Sequence, residues 1–402
     1  MYALNQNQDK NLELALPVIQ QKVTVSFAYP VHFTMGLFDL HNVLLARLIA
    51  AECQSQHKKV LVIIDTDVLR CHKGLISQIS AYVKRHANIM TLVDKPMLVP
   101  GGESAKNDSY LIKQVHALVD KVGLCRHSYI LAIGGGAVLD MIGYAAATAN
   151  HDIRLIKIPT TVLAQNYSSI GVKNSVNAFG NKNYLGTFAP PTAVINDFSF
   201  LTTLSDTDWR SGIAEAVKIA LIKDADFFNL ITTQAQALVN RDMNLMQQII
   251  YKSAQLHLNH TATNGDAFET GSSRPLDFGH WAAHKLEQLT YYKLRHGEAV
   301  AIGIALDCTY SYILGLLSRL EWQRTLNTLK ILGFTLYIPE LSAAMFNIED
   351  PRCIFQELEE FREHLGGKLT VTLLESIGKG LEIHEVNTAI YREAINLLKN
   401  KF

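Results

Sequence analysis

Apolar residues follow two different patterns along this chain, and the change comes near residue 200. In the first half, four short runs are almost continuously apolar: KVLVII at 59–64, SYILAI at 128–133, RLIKI at 154–158 and AVIND at 193–197. Such runs are typical of strands buried on both faces of a parallel sheet. Between them, LISQISAYVKRHA and DSYLIKQVHALVDKVG repeat apolar residues every three or four positions, which predicts crossover helices. The first half is therefore predicted to be an α/β domain.

In the second half the apolar spacing is helical over long stretches, such as DWRSGIAEAVKIALIK, LMQQIIYKSAQLHL, HWAAHKLEQL and EAVAIGIALDCTYSYILG. No repeat, low-complexity tract or Pro/Ser-rich linker separates the halves, and 402 residues exceed the usual size of one compact core. We therefore predict an α/β domain with a parallel sheet at residues 1–200 and a mainly α-helical domain at residues 201–402. The cleft between them is the expected active site.

Composition narrows the possible partners. Apolar residues make up 48% and charged residues 18%, and 37 Lys plus Arg balance 37 Asp plus Glu, which argues against disorder and against a nucleic-acid surface. The N-terminus does not resemble a signal peptide, and no apolar run approaches the length of a membrane span. We expect a cytoplasmic protein that acts on a small molecule. The scattered cysteines lack a CxxC pair and are interpreted as ordinary buried thiols: Cys53, Cys71, Cys125, Cys308 and Cys353.

Three consecutive glycines, Gly134 to Gly136, directly follow the SYILAI run and precede a helical pattern. Glycines there let a diphosphate approach the backbone and the positive end of a helix, although they can equally form only a tight turn. Asp65, Glu103 and Lys106 lie where strand ends meet loops, positions that face the ligand crevice of an open sheet or simply face water. Asp140, one turn into the helix, can cap it or contact a ligand.

The stretch IPTTVLAQNYSSIGVKNSVNAFGNKNYLG has little hydrophobic periodicity and is rich in hydroxyls, glycines and amides, so we predict a loop that lines a ligand. Its amines, Lys173 and Lys182, suit phosphate oxygens if water does not solvate them. Further along the chain, Glu215 and Lys218 are three residues apart and share a helix face. They can point into a cleft together or form a surface ion pair.

Histidines mark the helical half. His280 and His284 are four residues apart on one helical face, a spacing that suits two metal ligands, unless one of them packs structurally. His296 precedes Gly-Glu-Ala-Val at the apparent start of another helix, where its side chain can turn inward.

Six ordered segments, GGGAVLD, IPTTVLAQ, KNYLGTFAPP, SGIAEAVK, DFGHWAAHKLE and HGEAVAIG, resemble the dehydroquinate synthase superfamily of sugar phosphate cyclases, most strongly over residues 55–310. The resemblance implies an N-terminal NAD domain, a C-terminal metal domain, a substrate between them, and a homodimer. It also implies the reaction. NAD takes hydride from a secondary alcohol of a seven-carbon sugar phosphate, phosphate leaves, the hydride returns, and the ring opens and closes again as a carbocycle.

The resemblance also implies roles for individual residues. The ligands of zinc, or of cobalt, would be Glu215, His280 and His296. The residues around NAD would be Asp65, Glu103, Lys106, Gly135, Gly136, Asp140, Thr160, Thr161, Lys182 and Thr203. The catalytic residues of the substrate pocket would be Lys173, Lys218, Lys252, Asp277 and His284, with Asn183 binding substrate. His284 is then a substrate-side residue, in contrast to the local spacing argument.

The chain departs from the family pattern in its substrate pocket. Tyr167 stands where dehydroquinate synthases usually carry Asp, and Asp277 stands where they carry Asn. The Arg expected after the cofactor helix is missing near His151, with Arg154 close by, and Arg274 is displaced by one position. These changes leave the recognition of a substrate carboxylate open.

Several activities therefore stay open. The first expectation is a 3-dehydroquinate synthase-like reaction. The segments SSIGVKN, KNYLGTFAPP and FREHLGGKLTV are closer to secondary-metabolic cyclases that use sedoheptulose 7-phosphate, but those cyclases commonly lose the histidine that this chain keeps as His284. A metal-dependent alcohol or glycerol dehydrogenase shares the two-domain plan but does not need the lysines. A non-catalytic ligand-binding descendant is the remaining alternative.

Overall fold

The computed structural model describes residues 18–51, 57–150, 152–179, 181–263, 275–364 and 369–402. Cys53, His151 and Arg274 lie outside these ranges. In chain order, the strands are β1 (Val31–Thr34), β2 (Lys58–Asp65), β3 (Met90–Leu92), β4 (Met97–Val99), β5 (Tyr129–Gly134), β6 (Arg154–Pro159), β7 (Lys173–Ala178), β8 (Asn181–Phe188), β9 (Ala193–Asp197), β10 (Val371–Ser376) and β11 (Lys379–Ile383).

The helices, also in chain order, are α1 (Leu44–Ala51), α2 (Thr66–Cys71), α3 (Leu75–Arg85), α4 (Ser104–Asn107), α5 (Ser109–Lys121), α6 (Gly136–Thr148), α7 (Asp206–Lys223), α8 (Ala225–Thr233), α9 (Ala235–Val239), α10 (Met243–Thr263), α11 (His280–Leu289), α12 (His296–Ile313), α13 (Arg319–Ile331), α14 (Pro339–Ser342), α15 (Gln356–His364) and α16 (Thr388–Lys401).

A seven-stranded parallel sheet organises the N-terminal half. Its strand order is β1-β9-β6-β5-β2-β3, with β4 also paired to β2. The central strands β2 and β5 are almost wholly buried because apolar clusters cover both faces of the sheet. The four apolar runs of the sequence coincide with β2, β5, β6 and β9. The prediction of an α/β region with a parallel sheet is confirmed.

The segment that joins β6 to β9 carries an antiparallel hairpin of β7 and β8, where the sequence predicted a ligand-lining loop. The prediction of a loop was wrong for these residues. Polar side chains occupy both faces of the hairpin, so its alternation of inward and outward positions does not appear as a hydrophobic period. The hairpin packs against α4 and α6, at the edge of the sheet that faces the site.

The C-terminal half is mainly helical, as predicted, and two buried helices lie at its centre. Almost every side chain of α7 after its first turn is buried, and so is almost every side chain of α12. The two helices cross closely at Gly297, where a Cβ atom would collide with the backbone of Ser211. The backbone N–H of Gly297 donates to Ser211 Oγ at 3.0 Å. This crossing brings the start of α12 beside α7.

A buried carboxylate ties the loop before α11 to α12 and α16. Asp307 accepts hydrogen bonds from Gly279 N at 3.0 Å, from Trp281 Nε1 at 3.0 Å and from the Tyr391 hydroxyl at 2.9 Å. Because Gly279 and Trp281 flank His280, these bonds hold the backbone before that histidine and the side chain after it. Burial raises the pKa of Asp307 to about 7, although the three donors oppose the shift.

Three smaller findings complete the fold. A hairpin of β10 and β11 lies within the mainly helical half and escaped the sequence prediction. Cys308 and Cys353 are buried as predicted, but Cys71 and Cys125 are exposed, so the prediction of buried thiols was wrong for those two. In the described ranges, no helix combines the length and the apolar character that a membrane crossing needs. The domain boundary at residue 200 stays a prediction.

Candidate active site

Three side chains from three helices meet in the C-terminal half. Glu215 comes from the middle of α7, and His280 and His296 are the first residues of α11 and α12. Their ligand atoms all lie within 4.8 Å of one another. Both imidazole Nε2 atoms are 3.4 Å from Glu215 Oε1. Two imidazoles and one carboxylate can hold a divalent ion and leave a coordination position open for substrate or water.

The buried polar atoms of this cluster fit a cation. Among the described residues, both carboxylate oxygens of Glu215, Nε2 of His280 and Nζ of Lys218 are buried without a hydrogen bond of good geometry. The Lys218 amine is 2.6 Å from Glu215 Oε2, and both side chains are fully buried. Unsatisfied buried polar atoms are costly. A bound cation would satisfy the carboxylate and the imidazole nitrogens together.

The charges of the cluster set its protonation. Burial alone would raise the pKa of Glu215, but the charges of Lys218 and His280 outweigh burial and hold it well below its usual range. Burial likewise lowers the pKa of His296, but the charge of Glu287 and hydrogen bonds to Glu215 and Glu287 raise it to about 9. Glu215 is thus ionised at neutral pH, and His296 carries a proton until a metal ion displaces it.

His284 differs from the neighbouring histidines. It lies one turn after His280 on α11, and the two rings are 5.7 Å apart between centroids. Burial, together with the charges of His280 and Lys182, lowers the pKa of His284 to about 3. The ring is therefore neutral at pH 7 and can donate or accept a hydrogen bond. The spacing of His280 and His284 alone favours a pair of metal ligands, but the structure groups His280 with His296 and Glu215 instead.

Glu287, which the sequence interpretation missed, contacts Nδ1 of the candidate ligand His296. His296 Nδ1 lies 3.2 Å from Glu287 Oε2, and the Lys182 amine lies 3.1 Å and 3.2 Å from the two carboxylate oxygens. His280 Nδ1 is held in turn by the Phe278 carbonyl at 3.1 Å. Glu287 follows His284 by three residues on the same helix face, which is the signal that could have identified it.

The predicted cofactor residues gather at the carboxyl ends of the sheet strands. Gly135 is the N-cap of α6 and has extended backbone, and the structure gives this helix start no side-chain cap. A Cβ atom on Gly136 would collide with Ser168 Oγ, so glycine at this position lets Ser168 pack against the start of α6. Asp65, the last residue of β2, is buried and caps α2 by accepting from Asp67 N at 2.8 Å. A 13-residue helix with a free N-terminus suits a diphosphate.

Three predicted threonines have different surroundings. Thr160 is buried after β6, and its hydroxyl has no hydrogen-bond partner within the described ranges. The Thr161 hydroxyl accepts from Ala164 N at 3.1 Å and begins the next turn. Thr203, at the end of a 3-10 turn, is 2.8 Å from His72 Nε2. Only Thr160 therefore has a buried hydroxyl left for a ligand.

Lys106, a buried lysine of α4, joins α6 to the hairpin of β7 and β8. Lys106 Nζ donates to Asp140 Oδ2 at 2.7 Å, to Ser175 Oγ at 3.1 Å and to Asn183 Oδ1. Asn183 has a left-handed backbone, with φ of 57°, which turns it toward this network. The network joins α4, α6, β7 and β8. It places two predicted cofactor residues next to the predicted substrate residue Asn183.

Glu103 belongs to the same edge of the hairpin. Its carboxylate accepts from Asn177 Nδ2 at 3.0 Å, so it joins the start of α4 to β7. Lys173, the first residue of β7, is exposed.

Tyr167, one of the departures from the family pattern, lies beside Lys218 and two histidines. The Lys218 amine is 3.9 Å from the centroid of its ring. The same ring is 6.4 Å from His280 and 4.8 Å from His257, a buried residue of α10 that the sequence interpretation also missed. A lone histidine in an amphipathic helix gives no signal of such a position. Asp277, in the 3-10 turn Pro275–Asp277, lies three residues before His280.

Lys252 is not brought to the metal cluster. It lies on α10, is 40% exposed, and pairs with Asp224 at 2.9 Å. Asp224 is the residue after α7, nine positions beyond Glu215, which corresponds to about 13 Å along the helix. The face of α10 that meets Tyr167 carries His257 instead.

Two family descriptions match adjoining parts of the chain: "3-dehydroquinate synthase N-terminal" over residues 96–211 and "3-dehydroquinate synthase C-terminal" over residues 212–348. The 3-dehydroquinate synthase of Natranaerobius thermophilus is 30% identical over 354 residues, covering 87% of this chain and 90% of that protein. The enzyme of the same name from Nitrosospira multiformis is 31% identical over 371 residues, covering 91% and 94%.

Solved structures are similar over almost the whole chain. A 2-epi-5-epi-valiolone synthase from Streptomyces hygroscopicus subsp. jinggangensis 5008, with NAD+ and Zn2+ bound, is 27% identical with a TM-score of 0.83, covering 96% of this chain and 100% of that one. A 2-deoxy-scyllo-inosose synthase, 21% identical with a TM-score of 0.72 over 91% and 95% of the two chains, shares the fold. The matched family regions and the relatives together show that the chain belongs to the 3-dehydroquinate synthase family.

Proposed function

We propose that the protein is an NAD- and divalent-metal-dependent sugar phosphate cyclase, a carbon-oxygen lyase that eliminates phosphate from a seven-carbon sugar phosphate and closes a carbocycle. The observation that carries this proposal is the buried cluster of Glu215, His280 and His296, in which both Glu215 oxygens and His280 Nε2 lack a hydrogen bond of good geometry within the described ranges. The metal would be zinc or cobalt. Family membership supports the reaction class.

NAD, when bound, supplies an acceptor and later a donor of hydride, and the divalent ion supplies a Lewis acid for an alcohol or carbonyl oxygen. Gly135, Gly136 and the free start of α6 would bind the diphosphate. Lys106 holds α6 and the hairpin together through Asp140 and Asn183, and would thereby fix the two elements that border the cofactor.

The substrate side carries charge and a neutral imidazole. Lys173, Lys218 and Asn183 would bind the anionic and hydroxyl oxygens of the sugar phosphate. The Lys218 amine pairs with Glu215 and also contacts the ring of Tyr167. It is therefore placed between the candidate metal ligands and that ring. His284, neutral at pH 7, would hydrogen-bond a substrate hydroxyl rather than take its proton, since a pKa of about 3 makes the ring a weak base.

Two substrates are candidates. The first is 3-deoxy-arabino-heptulosonate 7-phosphate, which would give 3-dehydroquinate; the matched family regions and the similar relatives support it. The second is sedoheptulose 7-phosphate. It is favoured by the similarity to a 2-epi-5-epi-valiolone synthase over that enzyme's whole length, and by Asp277. A carboxylate at that position repels a substrate carboxylate, and sedoheptulose 7-phosphate has none.

The test measures phosphate release by the metal-loaded protein with catalytic NAD, with both substrates in parallel and the product identified by mass spectrometry. Turnover of the first substrate would make the protein a 3-dehydroquinate synthase, and turnover of the second alone would make Asp277 a specificity determinant. Release of no phosphate from either, with metal and NAD bound, would contradict the proposal. Accumulation of NADH in proportion to substrate would indicate a dehydrogenase.

Metal content tests the ligand assignment separately. We expect Glu215→Gln and His296→Ala to lose the ion, and Glu375→Gln, which changes an exposed carboxylate paired with Lys379, to keep it. Full metal stoichiometry in both ligand variants would refute the assignment. A homodimer and a cytoplasmic location also stay predictions, which the mass of the protein in solution and its fractionation in cells would test.

A further inference from the structure

We propose that Glu287 is a positioning residue that couples the metal site to the nucleotide site, because one carboxylate holds both the candidate ligand His296 and the hairpin residue Lys182. This inference rests on the proposed function, since it takes Lys182 to be a cofactor-side residue. It adds an energetic link between two sites that lie on different halves of the chain.

The first step concerns His296. Its Nε2 faces Glu215 at 3.4 Å, and its Nδ1 lies 3.2 Å from Glu287 Oε2. An imidazole held at Nδ1 has a fixed ring orientation and presents Nε2 to a metal, and the loss of such support typically lowers metal affinity by about 10- to 100-fold. Glu287 itself is only 6% exposed, so water competes little for this contact.

The second step concerns Lys182. Its amine is within 3.2 Å of both carboxylate oxygens of Glu287, although Lys182 lies on β8 and Glu287 on α11. The charge of Glu287 accordingly helps to raise the pKa of Lys182 against the opposing effect of burial. A lysine amine has three hydrogens, so a lysine held by Glu287 can still donate to a phosphate oxygen.

The third step connects Lys182 to the start of the cofactor helix. Its neighbour Asn183 accepts a hydrogen bond from Lys106, and Lys106 also donates to Asp140 of α6. Two sets of polar contacts, joined by the peptide bond between Lys182 and Asn183, therefore link His296 through Glu287 and the hairpin to α6. Moving the hairpin to close on a nucleotide would move Lys182, and Lys182 would pull on the carboxylate that orients His296.

The experiment measures metal affinity of the full-length protein by competition with a chromogenic chelator for Zn2+, with and without saturating NAD. It is done above pH 9, where His296 has lost its proton with or without Glu287, so that relief of proton competition does not offset a weaker site. The variants are Glu287→Gln, which keeps the size of the side chain and removes its charge, and Lys182→Met. The matched control is Glu298→Gln, which also loses a carboxylate near the start of α12 but one that accepts from Arg295 N.

We expect Glu287→Gln to weaken zinc binding about 10- to 100-fold and the control to bind like the wild type. NAD should tighten zinc binding about fivefold or more in the wild type, zinc should tighten NAD binding by the same factor, and both factors should fall to about one in Glu287→Gln and in Lys182→Met. A merely structural role for Glu287 would lower the thermal stability without abolishing this reciprocal factor.

Equal zinc affinity in Glu287→Gln and the wild type would overturn the orienting role. An unchanged reciprocal factor in both variants, or a factor of one in the wild type with both ligands bound, would overturn the coupling. If Glu287→Gln does not fold, Lys182→Met decides the coupling, because it leaves every candidate metal ligand in place. Failure of the wild type to bind NAD at all would instead refute the proposed cofactor, and zinc affinity without NAD would still test Glu287.

Discussion

The affinity of the apo protein for its metal should rise with pH, because His296 must lose a proton before Nε2 can bind an ion. Burial lowers the pKa of His296, but the charge of Glu287 and the hydrogen bonds to Glu215 and Glu287 raise it to about 9. At pH 7, two units below this pKa, a proton occupies His296 and must be displaced before the metal ion binds. That difference corresponds to a roughly 100-fold loss of affinity, or about 2.7 kcal/mol.

The pKa of His296 sets both the direction and the pH range of the change in metal affinity. Affinity should rise about tenfold for each pH unit between pH 7 and pH 9 and then become independent of this group, and binding at pH 7 should release about one proton from His296. Chelator-buffered titrations give the affinity at each pH, and calorimetry in two buffers of different ionisation enthalpy counts the protons. In Glu287→Gln the pH range over which the affinity rises should shift to lower pH, because the charge that raises the pKa of His296 is gone.

Two results would refute the reasoning. One is a metal affinity that stays constant within about twofold over a pH unit below 8, since a tenfold change is expected there. The other is an unchanged proton count and pH profile in Glu287→Gln, which would mean that the carboxylate does not control the protonation of His296.

Three further predictions concern stability and catalysis. The pKa of Asp307 is raised to about 7 by burial, so its contribution to stability is complete below about pH 4 and is lost as the pH rises through about 7; Asp307→Asn should remove a pH dependence of up to about 4 kcal/mol, which denaturant unfolding at acidic and alkaline pH would detect, and equal pH profiles for both proteins would contradict it. Gly303→Ala places a Cβ atom 2.7 Å from the Gly279 carbonyl carbon, so it should cost about 1–3 kcal/mol and weaken metal binding, whereas the control Gly171→Ala enters open space; equal melting temperatures would argue against the close packing. Lys218→Ala should lower kcat/KM for phosphate release by about 100-fold or more, while Lys252→Ala, whose amine pairs with Asp224, should stay within about twofold of the wild type; a large loss in Lys252→Ala would restore that lysine to the substrate pocket.

The sheet was predictable because its strands are buried on both faces. The interiors of β2 and β5 contain almost nothing but apolar side chains, and no amphipathic helix produces such a run of this length. The β7–β8 hairpin was not predictable in this way. Its inward side chains, such as Ser175 and Asn183, are polar because they form a hydrogen-bonded network with Lys106 rather than a core.

The site was predictable in part. Spacing along one helix paired His280 with His284, because sequence distance reports only neighbours on the same helix. His296 reaches the cluster through a reversal of the chain after α11, where Tyr291 and Tyr292 adopt left-handed backbone with φ of 53° and 58°. That reversal depends on tertiary packing, and only the family resemblance indicated the set of Glu215, His280 and His296.

The degree of burial of Glu215, Lys218 and Lys252 could not be predicted from their local sequence. Glu215 and Lys218 share a helix face, and their spacing is equally typical of a surface ion pair. The structure buries them completely because α10 and α12 cover α7. For Lys252, a difference of five residues along α10 separates the exposed face from the face that meets Tyr167, and periodicity cannot choose between two polar faces of one helix.

The hairpin of β7 and β8 has a consequence for how such enzymes diversify. It is inserted between β6 and β9, which are neighbours in the sheet, and its two strands bond to each other. One contiguous segment therefore supplies Lys173, Lys182 and Asn183, whereas the candidate metal ligands lie on three largely buried helices. If these residues contact the substrate as proposed, exchange of this single short stretch of gene between relatives would change substrate preference and leave Glu215, His280 and His296 in place, provided that Lys182 is kept as the partner of Glu287.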